Sequence, residues 1–183
     1  MSVNDYAQTL PDFAKDTRLN LGSVLTVEGA PGLTTVQIWG TALAVAYTLR
    51  SKRLLDMVIA NAADSLSDAH REAAKGASSI MAMNNVYYRG GHLLEDAEFS
   101  KLPARLRMNV IGKPGIDKVD FELYSFAVSS INGCGKCLQA HHHELRKANL
   151  SLEGIQSSLR IASVLAAAAQ SEWMAEHELN RGD

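Results

Sequence analysis

The stretch Ser151-Leu-Glu-Gly-Ile-Gln-Ser-Ser-Leu-Arg-Ile-Ala-Ser-Val-Leu-Ala-Ala-Ala-Ala-Gln170 places apolar residues at Leu152, Ile155, Leu159, Ala162, Ala166 and Ala169. Steps of three and four in alternation are the period of an amphipathic α-helix. Ser151 is suited to cap it, and Glu153 puts negative charge where the helix dipole is positive. Alanine-rich segments of this kind dominate the chain. The spacing predicts helices over Tyr6–Leu19, Thr35–Thr48, Lys52–Ala62, Asp68–Met83, Leu102–Val110, Lys118–Ser130, Cys134–Ala148, Ser151–Gln170 and Glu172–Leu179. Breaks are expected at Gly29-Ala30-Pro31-Gly32, Gly90-Gly91, Lys113-Pro114-Gly115 and Asn132-Gly133. Ser67 is a second expected cap, with Asp68 in the turn after it. There is no sustained apolar/polar alternation, no hairpin turn between β-branched runs, and only 6% aromatic residues. The fold class is all-α.

At 183 residues the chain is expected to form one domain. A hydrophobic content of 46% with 21% charged residues excludes general disorder. A net charge of −2 argues against a nucleic-acid partner. The longest apolar runs, Ala42 to Tyr47 and Val164 to Ala169, are far below the roughly 20 residues of a membrane helix. The start, Met1-Ser-Val-Asn-Asp5, has no basic region leading into an apolar core, so a cytoplasmic location is expected. A weak internal repeat is also legible. Leu66-Ser67 followed by Ala77-Ser78-Ser79-Ile80 resembles Leu150-Ser151 followed by Ile161-Ala162-Ser163-Val164, at an offset of 84. One more residue of offset sets Cys134 on Leu49 and Cys137 on Lys52. The chain then divides into a scaffold half, about 1–100, and a redox half, about 101–183.

Reactive side chains concentrate in Ser130-Ile-Asn-Gly-Cys134-Gly-Lys-Cys137-Leu-Gln-Ala-His141-His-His-Glu144. Cys134 and Cys137 are the only cysteines, too few and too close for a secreted disulfide framework. After the Asn132-Gly133 turn the segment reads as a helix with Cys134 in its first turn, where exposed N–H groups favour thiolate. At about 100° per residue, Cys134, Cys137 and His141 share one face, while His142 and His143 look across or away. Two sulfurs one turn apart suit a dithiol/disulfide pair, and His141 lies one turn beyond as a base. Lys136 between them adds positive charge. Helix-end activation makes Cys134 the more exposed sulfur. The alternatives are two inert buried cysteines or a zinc site, with His70, His92 and His177 the only histidines elsewhere. Covalent haem attachment fails because Leu138 follows the second cysteine. Glu122, on an apolar helix twelve residues before Cys134, either lies in water or folds back to orient His141; Glu144 is its rival.

Glu122, eleven intervening residues and then the C-x-x-C-x-x-x-H of Cys134, Cys137 and His141 resemble the AhpD branch of the carboxymuconolactone decarboxylase-like family. The motif covers about 25 residues; length, helicity and the internal repeat extend the likeness over much of the chain. The resemblance implies a thiol peroxidase, or alkyl hydroperoxide reductase. Cys137 would be the peroxidatic thiolate, passing through a sulfenic acid. Cys134 would be the proton donor and resolving thiol, closing a Cys134–Cys137 disulfide. His141 and Glu122 would form a proton relay. No bound cofactor is implied; dihydrolipoamide on a 2-oxo acid dehydrogenase component, recharged by lipoamide dehydrogenase, would be the electron donor. The peroxiredoxin AhpC is the implied partner, and a homotrimer the implied assembly. One departure is Lys136, where some members place histidine. Competing functions are a lactone decarboxylase of the wider family, against which the cysteine pair argues, and a zinc-binding or redox-sensing module.

Overall fold

The fold was obtained as a computed structural model, which describes residues 1–179. Among the described residues there are helices and turns but no strand. The helices are α1 (Val3–Gln8), α2 (Lys15–Val24), α3 (Thr35–Leu49), α4 (Lys52–Ala62), α5 (Asp68–Leu93), α6 (Asn109–Gly112), α7 (Lys118–Ile131), α8 (Gly135–Lys147) and α9 (Leu152–Leu179). No helix among them is long and apolar enough to cross a membrane.

Helices α3 and α7 form the centre, because their sequences are apolar almost all round. Every residue from Gly40 to Ala46 in α3 and from Phe121 to Ser129 in α7 is buried. The two cross closely at Gly40, where a Cβ would overlap the Tyr124 ring. α5 and α9 pack against this pair, with α2 and α4 outside. One cluster of buried apolar side chains runs from Tyr6 to Ala168. The α3–α4–α5 order recurs as α7–α8–α9: α5 begins at Asp68 and α9 at Leu152, 84 residues later.

The starts of helices follow local chemistry. Thr34 and Gln37 form a reciprocal capping box on α3, Ser67 caps α5, and Ser151 Oγ accepts from Gly154 N–H at 3.0 Å. The ends depart from expectation in four places. The predicted Tyr6–Leu19 helix is interrupted by a 3-10 turn at Asp12–Ala14, because Pro11 has no N–H and restricts Leu10. α5 runs through Gly90-Gly91, whose cost of about 1 kcal/mol each is offset in part by Phe99 packing on Gly91. The predicted Leu102–Val110 helix does not form; Pro103 lies within it, and only Asn109–Gly112 is helical. The last two predicted helices are one, with Ser171 Oγ bonded back to the Ala167 carbonyl at 2.8 Å.

Candidate active site

The α7–α8 junction is a two-residue turn in which Gly133 has φ of +66°, a left-handed conformation that glycine takes without strain. Cys134 N–H then bonds to the Ser129 carbonyl at 3.1 Å. Cys134 is the N-cap of α8 rather than part of its first turn, and its sulfur accepts Cys137 N–H at 3.3 Å. The two cysteines are joined as a disulfide with Cα atoms 5.3 Å apart.

Cys134 is completely buried, against the expectation that the N-terminal sulfur is the exposed one. Capping turns its side chain inward under the helix end. Cys137, 6% exposed, lines a cavity of about 290 Å³ that Cys134 does not reach. Any small reactant therefore meets Cys137 first. The cavity walls are mostly apolar: Met81 and Tyr88 from α5, Met108 and Ile111 from the segment before α7, and Ala140 from α8. Its polar lining comes from Glu122, His141, Asn84, Lys136 and Glu144.

Glu122 is not in water. It is buried on α7, and its Oε2 lies 2.6 Å from His141 Nδ1. A carboxylate at that distance fixes the ring orientation and the tautomer. Glu144, the rival, instead faces Lys118 at 3.5 Å. His141 Nε2 faces Met81 Sδ at 3.3 Å, and Cys137 Sγ lies 4.0 Å from the Asn84 carbonyl. In this disulfide state the imidazole and Cys137 share a cavity rather than a hydrogen bond. His142 and His143 are exposed, as the helical wheel indicates. Lys136 is exposed, with its ammonium 5.6 Å from the Tyr88 ring centroid. Among the described residues no three His, Cys, Asp or Glu side chains converge as a metal would require.

Sequence reading missed the part played by α5. Asn85 Nδ2 donates to Ser129 Oγ at 2.9 Å, Asn132 Nδ2 donates to Asn85 Oδ1 at 2.9 Å, and Arg89 donates to the Asn132 carbonyl. These bonds clamp the turn that presents the cysteines. α5, in the half expected to be scaffold, thus supplies a wall to the cavity and a clamp to the cysteine turn. One signal was available: Asn84-Asn85, two poor helix formers, sit in the middle of a long helix.

Fold and site together define a class: an all-α protein with a C-x-x-C disulfide at the floor of an apolar cavity, beside a buried carboxylate–imidazole pair. The family model described as "Carboxymuconolactone decarboxylase family" matches residues 97–176. A protein of Rhodospirillum centenum named "Alkyl hydroperoxide reductase AhpD" is 52% identical over 170 residues, covering 92% of this chain and 89% of its own. Proteins of the same name from Coxiella burnetii (52% over 168 residues, 92% and 95%) and Streptomyces griseus (52% over 167, 91% and 93%) are equally similar. The chain belongs to the carboxymuconolactone decarboxylase-like family, in its AhpD-type branch.

Proposed function

We propose that this protein reduces alkyl hydroperoxides with the Cys134–Cys137 pair. The observation that carries the reading is the placement of Cys137 alone on the cavity floor, with Cys134 bonded behind it and Glu122–His141 at the side. In the reduced enzyme the Cys137 thiolate attacks the terminal oxygen of ROOH. The O–O bond breaks, ROH leaves with a proton, and Cys137 becomes a sulfenic acid. Cys134 then attacks that sulfur and releases water, closing the disulfide. His141, held by Glu122, takes the Cys137 proton and returns one to the leaving alkoxide. When the disulfide opens, Cys137 Sγ replaces Met81 Sδ as the partner of His141 Nε2. The apolar walls suit an alkyl group better than hydrogen peroxide.

Two electrons must restore the dithiol. A dihydrolipoyl group, borne by a 2-oxo acid dehydrogenase component and recharged by lipoamide dehydrogenase, has the chemistry to do this by thiol–disulfide exchange. The same dithiol would also reduce the peroxiredoxin AhpC, and the working assembly would be a homotrimer. Consumption of a small alkyl hydroperoxide with NADH, lipoamide dehydrogenase and lipoamide tests the reading. Turnover by the wild type and none by Cys137→Ser is expected. A disulfide that dihydrolipoamide reduces, without peroxide turnover, would make the protein a carrier for a peroxiredoxin instead.

A further inference from the structure

The segment 101–118, which follows α5 and ends on the first residue of α7, does two things at once. Met108 and Ile111, half-buried, line the cavity over Cys137, and Ala104 and the exposed Leu102 line a neighbouring cavity of about 180 Å³. Between and beside them Lys101, Arg105, Arg107, Lys113 and Lys118 are exposed. The segment holds these five cations against one acid, Asp117, in a chain whose net charge is −2. Lys136 adds a sixth cation, shared by the two cavities.

Most of this charge is unmatched. Lys101 pairs with Glu98 at 2.6 Å and Lys118 with Glu144 at 3.5 Å. Among the described residues Arg105, Arg107 and Lys113 enter no ion pair, and Lys136 meets only the Tyr88 ring. Both carboxylates of the Cys137 cavity are already engaged, Glu122 by His141 and Glu144 by Lys118. The upstream acids Glu95, Asp96 and Glu98 line neither cavity.

A cavity of about 290 Å³ admits a slender alkyl dithiol but no protein domain. A carrier that presents its dithiol on a tether must therefore be recognised outside, on the rim. We infer that Arg105, Arg107 and Lys113, exposed on the segment whose Met108 and Ile111 line the Cys137 cavity, dock an acidic carrier protein while its tethered dithiol reaches Cys137. The inference rests on the dihydrolipoyl donor proposed above. Exposed rim charges act on the rate of encounter and are screened by salt.

The test compares two donors on the pre-oxidised protein: a lipoylated carrier domain of a 2-oxo acid dehydrogenase, kept reduced by lipoamide dehydrogenase and NADH, and free dihydrolipoamide, which is neutral. Wild type and the Arg105→Glu/Arg107→Glu/Lys113→Glu variant are assayed at low and high salt, with helicity checked by circular dichroism. Reduction by the carrier domain is expected to fall about tenfold in the variant, and about tenfold in wild type at high salt. Reduction by free dihydrolipoamide is expected to change less than about twofold in either case. Equal slowing of both donors, or of neither, would overturn the docking role. Wild type reduced by the free donor but not by the carrier domain would also overturn it, leaving the donor chemistry intact. If neither donor reduces wild type, the donor reading fails and the docking inference fails with it.

Discussion

Glu122→Gln tests the site most directly. The carboxylate is buried, bonded to His141 Nδ1 at 2.6 Å, and glutamine has nearly its shape. What changes is charge. A hydrogen bond to a charged group contributes about 1.5–3 kcal/mol against about 1 for a neutral one. In the proposed relay, an anion beside the imidazolium formed as His141 takes the Cys137 proton is worth up to about 4 kcal/mol at an effective dielectric of about 20. The loss in the peroxide step is therefore between about 1 and 4 kcal/mol, or roughly 5- to 1000-fold in rate, with about 100-fold the expected centre. The assay is a single turnover of pre-reduced enzyme with excess alkyl hydroperoxide, quenched and scored for disulfide, so that re-reduction does not enter. Glu122→Asp, which keeps the charge but withdraws it, should lie between wild type and Glu122→Gln. A Glu122→Gln rate within threefold of wild type, in a protein with unchanged Tm, would refute the relay.

Three further outcomes are expected. In Cys134→Ser, alkyl hydroperoxide should leave a sulfenic acid on Cys137 that a dimedone-type reagent traps, whereas Cys137→Ser should trap none on the fully buried Cys134; the label is located by peptide mass spectrometry. Gly40→Ala should destabilise the protein by about 1–3 kcal/mol or more, because the new methyl must displace the Tyr124 ring between α3 and α7; denaturant titration measures it. Tyr6 donates to the buried Glu172 carboxylate at 2.9 Å, and burial together with that charge pushes its phenol well above the ordinary tyrosine range. Since the folded value is the higher one, this stability is fully present below about pH 10 and lost as pH rises beyond it. Tyr6→Phe should therefore lower Tm near pH 7 through loss of a bond worth about 1.5–3 kcal/mol. The same variant should lose less than wild type between pH 9 and about pH 11 in thermal melts.

The site draws on α5 as well as on α7 and α8, and this bears on how it is held. The cysteines, His141 and Glu122 lie on α7 and α8, but the turn that carries Cys134 is clamped by Asn85 and Arg89 of α5. Met81, also on α5, faces the imidazole. A shift of α5 along α7 would therefore loosen the cysteine turn and the histidine together. The α3–α4 junction is built alike but shifted from the expected Leu49 and Lys52: Ser51 caps α4 as Cys134 caps α8, and Ser51 Oγ accepts Leu54 N–H as Cys134 Sγ accepts Cys137 N–H.

What sequence alone determined was local and periodic. The three- and four-residue apolar spacing is a property of the chain that needs no partner to be read, and it placed α3, α4, α7 and α8 within two residues of their observed ends. Helical geometry likewise put Cys137 and His141 on one face. The misplaced boundaries, at Pro11, Pro103 and Gly90-Gly91, are places where a single donor or a single packing contact outweighs periodicity. Tertiary structure alone decided the rest. Glu122 could have faced water until α8 folded back and set His141 2.6 Å from it. Which sulfur faces the cavity depended on Cys134 being a cap, turned beneath the helix, and on α5 and the 101–118 segment closing over Cys137. Pairings across 19 to 60 residues, such as His141 with Glu122 and with Met81, leave no mark in local spacing, because they are made by helices packing and not by neighbours in the chain.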